Sequence, residues 1–237
     1  MKLIKKISPI ALAVSMAVGG AVVPTIASAE MSANLGIANM YLWRGQNLTP
    51  DGPQVSGGIE FSGDTGLYGG LWTSNETGGH ETDLYVGFGG EAGDLSYDIS
   101  YWQYLYPEDT SDATTADLGT GEVSTISTPV DLGDNTVSDI VLGLGYAGVG
   151  LTFYVASETQ GGPDATYITL DYGMGDYSFL FGTWDVDAPD SEYSHIQVSY
   201  AVNDNLSLTV SKASDDGAGV EEDPLFVVSY SIPLDMK

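Results

Sequence analysis

The sequence predicts an all-β chain folded as a transmembrane, up-and-down antiparallel β-barrel of about 12 strands. Three observations predict it. Apolar residues recur at period two through segment after segment beyond residue 30, the connections between these segments alternate short and long, and the chain opens with a stretch built like an export signal.

The opening stretch comes first. Lys2, Lys5 and Lys6 form a basic start, IALAVSMAVGGAVV an apolar core, and Ala27-Ser28-Ala29 an A-x-A cleavage site before Glu30. Gly19, Gly20 and Pro24 interrupt the apolar run before it reaches the roughly 20 residues of a spanning helix. Residues 1–29 are therefore expected to be a cleaved signal peptide and 30–237 the barrel, placed in a bacterial outer membrane.

Beyond the leader no amphipathic helix stands out, and twelve alternating segments can be drawn. They are roughly 33–44, 53–62, 66–74, 82–90, 94–104, 136–147, 149–158, 164–174, 176–186, 191–202, 205–213 and 224–234. In TYITLDYGM, Ile168, Leu170, Tyr172 and Met174 share one face, with Tyr167, Thr169 and Asp171 on the other. In SDIVLGLGY, Ile140, Leu142, Leu144 and Tyr146 oppose Asp139, Val141 and two glycines. Such alternation sets one face of each strand in an apolar medium and the other in a polar one. The short connections are 63–65, 91–93, Gly148, Gly175 and 203–204; the long ones are 45–52, 75–81, 105–135, 159–163, 187–190 and 214–223. Tight turns on the periplasmic side and longer loops outside are what a membrane barrel requires. A soluble β-sandwich has no reason to sort its loops by length in turn.

Charge narrows the partners. Beyond residue 29 there are three basic residues (Arg44, Lys212 and Lys237) against 33 acidic ones, a formal charge of −30. A nucleic-acid partner is excluded, since phosphate binding runs on Lys and Arg. The chain has no cysteine, so neither disulfides nor thiol chemistry are available to it. Expected partners are outer-membrane lipid, small solutes and, at the outer loops, divalent cations; no cofactor is expected.

The stretch NMYLWRGQNLTPDGP sets an arginine beside an aromatic cluster. Read as the end of the first strand, it brings Tyr41 and Trp43 to the outer interface, where aromatic rings belong, and starts the first outer loop at Arg44. Two readings of Arg44 stay open: a rim anchor beside Trp43, or a fixed cation in an acidic lumen mouth, paired with carboxylates such as Glu60. With the apolar faces assigned to lipid, the polar faces make a pore-lining list of Glu60, Tyr68, Trp72, Asp83, Tyr85, Asp98, Trp102, Asp139, Asp171, His195 and Gln197, joined by Arg44. Lys212 is the other candidate cation near these acids.

Residues 34–61 and 65–75 also resemble a known family. Asn39, Tyr41, Trp43, Arg44 and Gly45 fit an N-x-Y-x-W-R-G pattern, Gly52, Pro53, Gly57 and Gly58 follow, and Gly66, Tyr68, Gly70, Trp72 and Ser74 fit G-x-Y-x-G-x-W-x-S. The stretch looks like the amino-terminal signature of the TorF-type family, exported proteobacterial proteins suspected to be porins. The resemblance implies an outer-membrane β-barrel and supplies neither substrate nor catalytic residue.

Other chemistries find little support. A hydrolase on the barrel wall would need Ser or Thr activated by His. His80 sits in the Gly-rich stretch TGGHET, expected to be an outer loop, and Ser194 and His195 point to opposite faces of a strand. No enzyme is expected. Asp185, Asp187 and Asp190, and the acids of ASDDGAGVEED, are weak cation candidates that miss the EF-hand pattern. The resulting expectation is a porin-like channel for passive diffusion of small solutes, cation-preferring. The competing reading is a non-transporting surface barrel whose acidic loops bind divalent cations or partners.

Overall fold

The computed structural model describes residues 30–77, 79–106, 113–116, 123–126, 136–158, 164–188, 191–215 and 217–234. Twelve strands close into one barrel. They are β1 Glu30–Ala38, β2 Gln54–Ser62, β3 Leu67–Glu76, β4 Gly79–Ala92, β5 Leu95–Leu105, β6 Thr136–Tyr146, β7 Val149–Glu158, β8 Ala165–Met174, β9 Tyr177–Val186, β10 Tyr193–Ala201, β11 Leu206–Asp215 and β12 Leu225–Leu234. Each pairs antiparallel with its neighbour in sequence, and β12 closes on β1 with Leu35 opposite Ile232. Closure leaves no free sheet edge, which a spanning sheet cannot tolerate in lipid.

The outer face is apolar. Ile37, Phe61, Val86, Ile99, Leu142, Leu170, Phe181, Ile196 and Phe226 all stand exposed on the wall, with Phe226 at 64%. Their neighbours in sequence point inward and are buried or half-buried, as in β10, where Tyr193, His195, Gln197 and Ser199 alternate with Ser194, Ile196 and Val198. A continuous apolar exterior of this kind is stable against hydrocarbon and unfavourable against water. At the short-turn rim Tyr146, Tyr172, Tyr177 and Tyr200 add exposed rings, Tyr177 and Tyr200 lying 4.9 Å apart, as in the aromatic girdle of a membrane barrel. The turns there are tight. Ala147 and Gly148, at φ 52° and 85°, join Tyr146 to Val149, which matches a two-residue type I′ hairpin.

The sequence-drawn strands match these bounds closely except at two places. The first strand ends at Ala38 rather than near residue 44, because the chain leaves the wall there. Residues 75–81 are not a long loop: β3 runs to Glu76 and β4 begins at Gly79, so His80 is a strand residue opposite Asn75. Of the expected long loop 105–135, the described part beyond Tyr106 is a small hairpin, Ala113–Ala116 paired with Val123–Ile126; the rest, like 159–163, lies outside the described residues.

The exposed belt generates a prediction. Leu142→Arg or Phe181→Arg, mid-strand on the lipid side, should each destabilise the barrel by roughly 2–4 kcal/mol in lipid vesicles. Asp223→Arg, in the last long loop, should shift stability little. Denaturant titrations of vesicle-inserted protein check this, and equal costs at all three sites would contradict the assignment of faces.

Candidate functional site

The chain leaves the wall at Asn39 by a side-chain substitution for sheet pairing. The Asn39 amide nitrogen donates to the Phe226 carbonyl (2.9 Å) and its oxygen accepts the Val228 N–H (2.7 Å). These are the bonds a further strand residue would have made, so the main chain can turn into the lumen without stranding β12. Asn75 acts alike at the return point, accepting the Val55 N–H (2.6 Å) and donating to the Pro53 carbonyl (3.1 Å).

Between these two clamps lies a hairpin inside the barrel. Leu42-Trp43 pairs with Gln46-Asn47, and the central residues Arg44 and Gly45 have φ of 47° and 86°. Positive φ at both central positions is the mark of a type I′ turn. Gly45 is required twice over. An L side chain is strained at that φ, and a Cβ would lie 2.6 Å from Cγ of His195. Behind the turn the limbs are tied by Leu48 N–H to Tyr41 O (2.8 Å) and Tyr41 N–H to Thr49 Oγ1 (2.8 Å). Thr77 then holds Leu48 O to the β3 end through its N–H (2.7 Å) and its hydroxyl (2.6 Å). Leu42 packs with Ala38 and Val227 in a small apolar patch on the inner wall.

The hairpin delivers Arg44 into an aromatic box. Its guanidinium carbon lies 4.6–4.9 Å from the ring centres of Trp43, Tyr154, Tyr167 and Trp184. Nη2 donates to Asp139 Oδ2 at 2.7 Å, and both side chains are 6% exposed. Tyr104 donates its hydroxyl to the same carboxylate oxygen (3.1 Å), while Tyr193 donates to the Arg44 carbonyl (2.9 Å) and accepts from Gln46 (2.7 Å). Three of the box rings come from one register row of the wall: Tyr154 opposes Tyr167, Tyr167 opposes Trp184, and Trp184 opposes Tyr193. Guanidinium suits this setting because it is planar, always charged and weakly hydrated, so it can stack on rings while pairing with a carboxylate.

Three further inward acids are tied by phenols. Glu81 accepts from Tyr41 and Tyr106, both at 2.7 Å. Asp98 accepts from Tyr68 (2.6 Å) and Ser100 (3.1 Å), and Glu60 from Tyr85 (3.1 Å). Trp102 stacks on Tyr85 at 4.2 Å and donates to Ser100. Glycines make room for these rings: a Cβ on Gly70 would meet the Tyr85 ring, and one on Gly87 the Tyr68 ring. Part of the G-x-Y-x-G-x-W pattern is thus a packing code, with Tyr68 lying over Gly87, Gly70 beneath Tyr85, and Trp72 over Gly58.

Glu60, Tyr68, Trp72, Asp83, Tyr85, Asp98, Trp102, Asp139, Asp171, His195 and Gln197 all sit at inward strand positions. Arg44 joins them from the hairpin and pairs with Asp139, not Glu60. Tyr41 and Trp43 lie in the lumen rather than at the lipid interface, because the first strand stops at Ala38. Lys212 is opposite Ile196 on the outer face, so it is no lumen cation. His195 Nε2 meets the Tyr167 hydroxyl at 2.7 Å, while Ser194, on the other face, donates to Thr183 (3.0 Å). Asp185 and Asp187 are exposed, and Asp190 lies outside the described residues. Among the described residues no three His, Asp or Glu side chains gather as a metal site. Glu81, Tyr104, Tyr154, Trp184 and Tyr193 were absent from the sequence-derived list, and Tyr167 was noted only for its face. Their signal was inward parity, but strand register, invisible in one sequence, is what lines them up.

These features define a membrane β-barrel with an inturned hairpin latched by a buried ion pair. Residues 24–217 match the model of a family described as bacterial protein of unknown function (Gcw_chp), and the chain belongs to that family. No curated protein sequence matches it. Among solved structures it is similar in fold to the KdgM porin, with 8% identity, 87% of this chain and 99% of that one covered, and a TM-score of 0.50. Looser matches include OccK9 (OpdG) of Pseudomonas aeruginosa, at 11% identity, 89% of this chain and 65% of that one, TM-score 0.43. Another is OccAB1 of Acinetobacter baumannii, at 14% identity, 89% and 66% coverage, TM-score 0.39.

Arg44→Ala should cost about 3–5 kcal/mol, because Asp139 is left buried without its counter-charge. Adding Asp139→Asn should return a large part of that loss, and Arg44→Lys should fall short of wild type for want of a planar fork. Unfolding titrations of the four proteins check this; strictly additive losses would contradict a coupled pair.

Proposed function

We propose that the protein is an outer-membrane, porin-like channel for passive diffusion of small solutes, with a preference for cations. The observation that carries this reading is the contrast between the two faces of one closed barrel, apolar against lipid and carboxylate-rich within. Arg44 is the one inward Arg or Lys among the described residues, and Asp139 already balances it. Glu60, Glu81, Asp83, Asp98 and Asp171 are then left with no basic partner, and a low-dielectric wall focuses their negative potential into the lumen. Asp83 Oδ1, His195 Nδ1 and Gln197 Oε1 are buried in the inner wall with no hydrogen-bond partner among the described residues, so the polar lining extends behind the surface that faces the lumen. The inturned hairpin narrows the long-loop half, so unit conductance should be small.

The likeness of Asn39–Ser74 to the TorF-type family supports the same reading. It also supports export, while the basic start and Ala27-Ser28-Ala29 support cleavage after Ala29 and the alternating loop lengths support long loops facing outward. The alternative of a cation-binding surface barrel is less well supported. Asp215 accepts the Ala218 and Gly219 N–H groups, Glu222 the Asp215 N–H and Glu221 the Asp223 N–H, so these carboxylates close their own loop.

In planar bilayers the refolded protein should give small stepwise currents whose reversal potential in a KCl gradient has the sign of cation preference. Asp98→Asn with Asp171→Asn should reduce that preference, more at low salt than above about 0.15 M, where the Debye length falls to about 8 Å. A chloride-preferring pore, or no steps at all, would refute the proposal. An epitope inserted at 112–128 should be reached on intact cells and one at Gly175 should not.

A further inference from the structure

We propose that the aromatic row Tyr154–Tyr167–Trp184, together with Asp139, is a binding site for small organic cations of guanidinium or quaternary-ammonium type, and that Arg44 is its tethered competitor. The wall supplies every element such a cation needs. Three rings in one register row present faces to a single point, and a buried carboxylate stands at its edge, oriented by the Tyr104 hydroxyl. Aromatic faces around a carboxylate recognise shielded or delocalised positive charge and discriminate against neutral molecules of the same shape. All of these groups belong to the barrel wall. What fills the site comes from elsewhere in the chain, on a two-residue turn whose strands are two residues each. The turn has backbone and side-chain ties of its own, from Tyr193 to the Arg44 carbonyl and to Gln46 and from Thr77 to Leu48. The guanidinium can therefore leave while the hairpin stays, and a free cation of the same chemistry meets the same ring faces and carboxylate.

Competition follows from this arrangement. A solute guanidinium that displaces the Arg44 side chain would take over the bond to Asp139 and the ring faces, leaving the hairpin tip held by Tyr193. The site deepens the channel reading by naming a solute class, and its transport consequence rests on that reading. Binding itself does not, so the two can fail separately.

The test is calorimetric titration of the detergent-folded protein with methylguanidinium, tetramethylammonium and neutral methylurea. A tethered group competes at an effective concentration of roughly millimolar or above. Arg44→Ala should therefore bind both cations at least about tenfold more tightly than wild type. Arg44→Ala/Asp139→Asn should lose most of that gain, and methylurea should bind to none of them. If Arg44→Ala does not fold alone, refolding in millimolar methylguanidinium should restore the barrel where methylurea does not. Equal binding by wild type and Arg44→Ala, indifference to Asp139→Asn, or failure of both additives to rescue folding would overturn the proposal. In bilayers, the cations should interrupt wild-type current at millimolar concentration. Silent bilayers with calorimetric binding intact would remove the channel reading and leave the site, whereas conductance without binding would remove the site alone.

Discussion

The buried pair of Arg44 and Asp139 is the constraint around which the interior is arranged. A charge withdrawn from water needs a counter-charge and hydrogen bonds at good geometry, and one side chain alone rarely supplies both. Here the carboxylate comes from β6, the ring faces from β7, β8 and β9, and the cation from a hairpin that left the sheet after β1. That single contact therefore ties together strands far apart in sequence. The chain's one arginine is the residue that makes this contact. A second inward arginine would need its own carboxylate and its own box.

The hairpin is possible because its ends are solved locally. Asn39 and Asn75 complete the backbone pairing that an inturned chain would otherwise break, and Gly45 lets the turn pass against His195. Tyrosine and glycine then share the rest of the lumen. Gly70 and Gly87 each give a flat seat to a ring from the adjacent strand, and the ring's hydroxyl reaches a carboxylate further along the wall, as Tyr68 lies over Gly87 and reaches Asp98 and Tyr85 lies over Gly70 and reaches Glu60. Such packing lines part of the lumen with polar-tipped rings whose hydroxyls serve Glu60, Glu81 and Asp98.

The strands were legible in the sequence because lipid on one side and polar atoms on the other impose period two on nearly every segment. Ile196, Val198 and Tyr200 against His195, Gln197 and Ser199 need no tertiary knowledge to read. The inward residues were legible for the same reason. Partnership was not. Nothing local says that Arg44 meets Asp139, 95 positions away, rather than Glu60. Nor does parity say that Tyr154, Tyr167 and Trp184 stand level, since that depends on register across three strands. The first strand was misjudged because Tyr41 and Trp43 continue its alternation, although their polar medium is the lumen and the signal that the wall ends is a side-chain bond made by Asn39.

The central claim is that this one arginine lies inside the barrel among aromatic rings. Because the chain holds a single arginine, its side-chain Nε and δ-methylene resonances are unambiguous in an NMR spectrum of the micelle-folded protein. The account predicts δ-methylene protons moved strongly upfield by ring currents, with through-space contacts to Tyr154, Tyr167 and Trp184 and slow exchange of the guanidinium protons with water. An arginine at random-coil shift, in contact with detergent or in fast exchange with solvent, would contradict it.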